Sequence, residues 1–374
     1  MALDIERLLQ AAANGVTAYL NAQLQKGDID RQQCEDATRR TLESLREWFE
    51  DPVIDTISPN TKSGIAGAIE AEKWEDIVNA FRKGLSFGTG GIRGLMAPDK
   101  ASIEALNRDG IDARILKGPN TLNNIVLLKT SVGVAKFGRD KGFTRIVIGY
   151  DSRVRGHDFA EKIAELFLAY GYTVYLFDEP CPYPEVTFAI PHLKADMGIL
   201  ISASHNDYRY NGYKLSCGNG SQFDPAEREE MYKDYILKAQ MDEIELMPIG
   251  EADKDRVIFL GGDGPIDDFE YHGHDLMNIH QAHREHVKSF LLYKPHHRDK
   301  DLLNIAYCAY HGAGRKTVPR LLDEVGFRHV RKITRNGLNE LNGLFPSFKS
   351  DPGEEQQPDP GDPRAAATAV KAFQ

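Results

Sequence analysis

The sequence predicts an α/β protein built on mixed, mainly parallel sheets and preceded by an α-helical extension. Three observations predict this. Apolar runs at Arg145–Tyr150, Thr173–Phe177 and Met197–Ile201 have strand length and are separated by helical periodicity. That β-α-β-α-β order calls for a parallel sheet covered on both faces. A second strand–helix–strand unit begins at Leu303, and before both units the apolar residues recur only at helical spacing.

In chain order, Ile5, Leu8, Leu9, Ala12 and Val16 mark one helix face, and Leu42, Leu45, Trp48 and Phe49 a second. Trp74, Ile77 and Phe81 lead into a glycine-rich stretch at 87–96, read as a loop. Residues 123–136 read as a helix. After the strand RIVIGY, Phe159, Ile163, Leu166, Phe167 and Tyr170 form the buried face of an amphipathic helix, closed by Gly171. A proline-rich turn at 181–184 and a short helix precede the strand ending at Ile201. Residues 224–245 read as one helix rich in Glu and Lys. Residues 272–297 hold seven of the twelve histidines and read as an exposed linking helix, without a ligand pattern for metal. In the second unit, strands at 304–310 and 328–333 flank a helix expected to turn Val318, Leu321, Leu322 and Val325 inward. A last helix covers 364–373.

The 374 residues suit two or three domains, and a hydrophobic content of 41% supports real cores. A formal net charge of -10 argues against a general nucleic-acid binder, and requires that an anionic substrate be held by local cations. The four cysteines (Cys34, Cys181, Cys217, Cys308) form no CxxC pair, so reduced thiols in a cytoplasmic protein are expected. Charged Asp4, Glu6 and Arg7 exclude a signal peptide in the first apolar pattern, and no apolar run is long enough to span a membrane.

The chemistry concentrates at 196–223. The apolar strand Met197–Ile201 breaks into Ser202, Ala203, Ser204, His205 and Asn206, at the carboxyl edge where open α/β sheets place their sites. Ser204 offers a nucleophilic hydroxyl beside His205, and Lys214 follows in Asn-Gly-Tyr-Lys, read as part of the same loop. Such a set suits phosphoryl transfer, which needs positioning and positive charge; the bland alternative is a polar connection between two strands. FGTGGIRGLM at 87–96 surrounds Arg93 with glycines that let a backbone approach a ligand. It is neither a Walker A loop nor a dinucleotide fingerprint. Arg153 and Arg155 follow the RIVIGY strand, with surface pairing to acidic neighbours as the alternative to a role at the sheet edge.

SASHN at 202–206, YNGYK at 210–214 and GSQF at 220–223 together resemble the active-serine loop of the α-D-phosphohexomutases, the phosphoglucomutase and phosphomannomutase family. The family usually has Thr at Ser202 and Pro at Asp207; neither departure touches the serine or histidine. FGTGGIRG, GYDSR at 149–153, HGAGRK at 311–316 and FPSFKSDPGEE at 345–355 also resemble family segments, in the same order. The resemblance implies two phosphohexomutase-like α/β domains: a helical extension at 1–84, domain I at 85–258, and domain II at 259–374, incomplete and ending before the family's aspartate-rich metal loop. The GGDG at 261–264 does not match that loop. It further implies interconversion of hexose 1-phosphate and hexose 6-phosphate through a phosphoserine and a hexose 1,6-bisphosphate, with mannose or pentose phosphate as alternative substrates. Ser204 would carry the phosphoryl group and, through it, touch Mg²⁺. Lys214 would act as general acid/base, and Arg93 and His205 would orient phosphoryl oxygens. The expected partner is a sugar phosphate, with no nucleic acid and no membrane. The other reading is a catalytically inactive truncated homologue acting as a binding or interaction module. Oligomeric state is not legible.

Overall fold

The computed structural model describes residues 3–88, 90–262, 276–292, 298–348, 355–356 and 358–374. They form two compact units: Met1–Phe137 with Arg209–Gly212 and Glu229–Glu245, and Gly138–Tyr208 with Tyr213–Arg228 and Leu246–Gln374.

The first unit opens with five helices, α1 Ile5–Lys26, α2 Arg31–Glu50, α3 Pro52–Ile57, α4 Thr61–Glu70 and α5 Trp74–Phe81. The local sequence sets their ends. Asp4 accepts the Arg7 N–H at the start of α1, Gly27 ends it in the left-handed region, and Asp30 with Gln33 closes a capping box on α2. Their apolar faces bury Leu8, Leu45, Phe49, Ile65, Ile77 and Phe81 in one core that also takes in Leu116 and Ile125. Trp48 and Phe81 meet edge to face at 5.6 Å, a pairing that adds about 0.5–1.5 kcal/mol to their burial. The stretch read as a loop at 87–96 contains strands β1 Phe87–Gly88 and β2 Gly91–Leu95, an antiparallel hairpin with Phe87 opposite Ile92. Ile92 and Gly94 are buried and Arg93 between them is exposed, a period-two pattern that the glycines disguise. Helices α6 Lys100–Asp109 and α7 Asn124–Asp140 follow.

The second unit holds strands β3 Arg145–Tyr150, β4 Thr173–Phe177, β5 Met197–Ile201, β6 Tyr210–Cys217 (from Tyr213 on), β7 Val257–Gly261 and β8 Leu276–Asn278, in the order β6-β5-β3-β4-β7-β8. All pair in parallel except β6, which runs antiparallel to β5 with Ile201 opposite Tyr213. Helix α8 Gly156–Ala169 links β3 to β4, and α9 Tyr183–His192 links β4 to β5. The β3-to-β4 and β4-to-β5 crossovers run in opposite directions along the sheet, so right-handedness puts the helices on opposite faces. β3 and β5 therefore flank a topological switch point, and their carboxyl ends border its crevice. Val147, Phe177, Val186, Ile190 and Leu200 form the core beneath α9. Helix α11 Ile279–Ser289 closes on that core through Ile279. A two-stranded parallel sheet, β9 Asn304–Tyr307 with β10 His329–Lys332, flanks α12 Gly314–Glu324, and α13 Pro363–Phe373 packs Ala365 and Ala369 on Phe345 and Phe348.

Four further local expectations change. Lys214 lies on β6 rather than in a loop. The helix at 224–245 is α-helical only over α10 Pro225–Glu230, then widens into a π turn, Met231–Ile236, whose two ends are both buried. Helix α11 is not an exposed linker: His280 and His283 are buried against carboxylates contributed by distant segments. In α12, Thr317 and Pro319 are buried and Val318 is exposed, because the buried face turns toward Glu185. His272, His274, His296 and His297, residues 263–264 of the GGDG motif and residues 349–354 of FPSFKSDPGEE lie outside the described residues.

Candidate active site

Ser204 stands two residues after Ser202, which begins the turn at the carboxyl end of β5. It is exposed, between a fully buried Ala203 and a buried Asp207. Its backbone is left-handed, with φ 58°. For a serine that conformation costs ~1–2 kcal/mol, so the surroundings must hold it. Within the turn, the Ser204 N–H donates to Ser202 Oγ at 3.0 Å and the Asn206 N–H to the Ala203 carbonyl at 3.2 Å. The Asp151 N–H, at the end of β3, donates to the Ile201 carbonyl at 3.1 Å, locking the two strand ends at the switch point.

The turn is also tied from below and behind. Arg153, from the GYDSR segment, is buried with its side chain 1% exposed, and its guanidinium donates to three carbonyls of the 204–207 turn. Arg155, by contrast, makes the partly exposed pair with Asp158. The Gln356 N–H donates to Asp207 Oδ2 at 2.7 Å, and Tyr208 packs against the Phe345–Phe348 core. His205 Nε2 lies 3.6 Å from Asp359 Oδ2, with both side chains partly exposed. Ser152 Oγ donates to the His311 carbonyl at 2.7 Å. His311 is fully buried; burial lowers its pKa, and Nδ1–H donates to the Glu340 carbonyl at 3.0 Å, so it is a neutral structural imidazole.

The structure thus joins Ser204 and His205 in one exposed turn. Lys214 sits opposite Leu200 on the neighbouring strand, with Nζ 5.2 Å from the Tyr183 ring centre. Arg93 is exposed on β2, in the first unit. Asp359, Gln356 and the buried position of Arg153 went unread in the sequence. The first two lie about 150 residues from the turn in an irregular segment, and no local pattern announces them. Among the described residues, no three His, Cys, Asp or Glu side chains form a group that could hold a metal ion. The described residues by themselves supply no donor set for the Mg²⁺ that the resemblance implies. No helix of the described residues is long and apolar enough to cross a membrane.

A serine on a strained turn at the switch point of a mostly parallel sheet places the candidate site where open α/β domains bind their ligands. Residues 103–241 match the family described as phosphoglucomutase/phosphomannomutase, alpha/beta/alpha domain I. The phosphoglucomutase of Staphylococcus haemolyticus is 27% identical over 279 residues, 74% of this chain and 43% of that protein. A probable phosphoribomutase of Schizosaccharomyces pombe is 31% identical over 183 residues, 49% of this chain and 28% of that protein. The solved phosphoglucomutase/phosphomannomutase family protein of Burkholderia thailandensis shares the fold, with a TM-score of 0.50 at 17% identity over 76% of this chain and 49% of that one. Over residues 103–241 the chain is similar to domain I of the phosphohexomutases. It spans less than half the length of the curated relatives it matches.

Proposed function

We propose that this chain carries the phosphoserine domain of a mutase that interconverts sugar 1-phosphates and sugar 6-phosphates through a sugar bisphosphate. The observation behind the reading is Ser204: an exposed hydroxyl on a left-handed turn at the sheet's switch point, inside the matched domain I. In the proposed cycle, a hydroxyl of the sugar monophosphate attacks the Ser204 phosphate. The P–Oγ bond breaks, a P–O(sugar) bond forms, and the hydroxyl proton passes by way of a base, for which we propose Lys214, to the departing Ser204 Oγ. The bisphosphate then presents its other phosphate. The Ser204 hydroxyl attacks that group, the P–O(sugar) bond breaks, and the serine proton passes by the same base to the departing sugar oxygen. His205 and Arg93 are proposed as ligands of the phosphoryl oxygens, Arg93 on the family resemblance alone. Hexose phosphate is the proposed substrate, with the 1,6-bisphosphate as activator and a cytoplasmic setting. The division at residues 84 and 258 is proposed on the same basis.

The test is incubation of the chain with glucose 1,6-bisphosphate labelled in both phosphates, followed by peptide mapping. Label on Ser204, abolished by Ser204→Ala, supports the reading. Label on Ser202 or Ser221 would overturn the assignment, and a chain that takes no label but binds sugar phosphate would favour a binding module.

A further inference from the structure

Arg153 is a buried cation facing the serine turn, and its guanidinium donates to the turn's backbone. Nη1 donates to the Asp207 carbonyl at 3.0 Å; Nη2 donates to the Ser204 carbonyl at 2.9 Å and to the Asn206 carbonyl at 2.6 Å. Nε lies 3.7 Å from Asp151 Oδ2, whose partner Oδ1 accepts the Arg153 N–H at 3.0 Å. The guanidinium carbon sits 5.1 Å from the centre of the buried Phe345 ring, so an aromatic face covers the cation. Phe345 is brought there by a close backbone approach. A Cβ on Gly343 would stand 2.4 Å from the Val154 nitrogen and 2.7 Å from the Ser152 carbonyl oxygen, so glycine alone allows this packing.

The arrangement has an electrostatic consequence. Three carbonyls of the turn, those of Ser204, Asn206 and Asp207, end on a fixed positive charge beneath it. Their negative ends are neutralised there and held away from solvent, where Ser204 is exposed. Hydrogen bonds to a charged donor are stronger than neutral ones, which suits the holding of a left-handed serine. We propose that Arg153, seated on Phe345, is a positioning residue for Ser204: it fixes the turn so that the hydroxyl is presented in one orientation for phosphoryl transfer. The proposal rests on the phosphoserine reading for its catalytic part and stands on geometry for its clamping part. Lysine cannot substitute, because its ammonium lacks the planar fork that spans the three carbonyls and stacks on the ring.

The experiment uses the full chain with Arg153→Lys, Arg153→Ala and Phe345→Leu. Two quantities are read: hydrogen exchange of peptides covering 202–209, and the rate and half-saturation of Ser204 labelling by glucose 1,6-bisphosphate. Arg153→Ala is expected to raise exchange in the turn at least tenfold, with the β3 and β4 peptides unchanged. It should slow labelling 10- to 100-fold at a half-saturation within about twofold of wild type. Added guanidinium should restore part of the rate, and Arg153→Lys should resemble Arg153→Ala. Wild-type exchange in the turn of Arg153→Ala would overturn the clamp. Altered exchange with an unchanged labelling rate would overturn the positioning role. If the wild-type chain takes no label, the phosphoserine reading fails, and the exchange comparison still decides the clamp. Phe345→Leu guards against a misfolded Arg153→Ala: a folded variant with wild-type exchange in the turn would also count against the proposal.

Discussion

Replacing His280 should cost the second unit about 3 kcal/mol, and the loss should depend on pH. His280 lies buried between two carboxylates. Nδ1 bonds Glu185 Oε2 at 2.8 Å and Nε2 bonds Glu179, which also accepts from Lys316 Nζ at 2.9 Å; Glu185 takes the Thr317 hydroxyl at 2.8 Å. Burial pushes the imidazole pKa down, but the bonds to Glu179 and Glu185 outweigh it and raise it from 6.5 to about 9. That rise corresponds to ~3 kcal/mol of extra preference for the proton in the folded state. Removing one partner of a buried pair costs ~3–5 kcal/mol, and the remaining bonds to Lys316 and Thr317 put His280→Ala at the lower end. Between pH 6.5 and 9 the folded chain holds more protons than the unfolded one, so stability falls as pH rises. The contribution is complete below pH 6.5 and lost above about 9. Glu185 works from the other side. Burial raises its pKa, but bonds from His280 and His283 prevail and lower it to about 2, so its share is present above its ordinary 4.5 and lost as pH falls toward 2. The assay is urea unfolding by circular dichroism at pH 6, 7.5 and 9.5, with hydrogen exchange of the α9 and α11 peptides. His280→Gln, neutral throughout, should flatten the slope between pH 6.5 and 9. A His280→Ala protein within about 1 kcal/mol of wild type, or a wild-type slope identical to that of His280→Gln, would refute the reasoning.

Other outcomes follow from single residues. Lys117 is buried, which lowers its pKa from 10.5 to about 8, so here the unfolded chain holds more protons between those values and stability of the first unit should rise from pH 8 to 10.5. Lys117→Met should erase that rise, as read by urea titration of tryptophan fluorescence, since Trp48 and Trp74 both lie in that unit. Gly64→Ala would drive a Cβ to 2.1 Å from the Ile115 carbonyl oxygen, and should cost about 1–3 kcal/mol in the same titration.

The sequence by itself determined the strands β3, β4 and β5 residue for residue, the helices around them, and the turn that carries Ser204. Each of these is written in neighbouring residues: an apolar run of strand length, a helical period, an abrupt change to small polar residues. Lys214 was harder. Its strand buries Asn211, Gly212, Tyr213, Leu215 and Ser216 in runs rather than in alternation, so the period-two signal is weak, and only pairing with β5 defines it. What the tertiary structure alone decided is which charges meet. His280 finds its carboxylates 95 and 101 residues away, Gln356 finds Asp207 across 149, and Arg153 goes underneath the serine turn while Arg155, two residues on, stays at the surface. A buried charge is tolerated only where distant segments deliver partners to it, and chain folding, not local spacing, sets those deliveries.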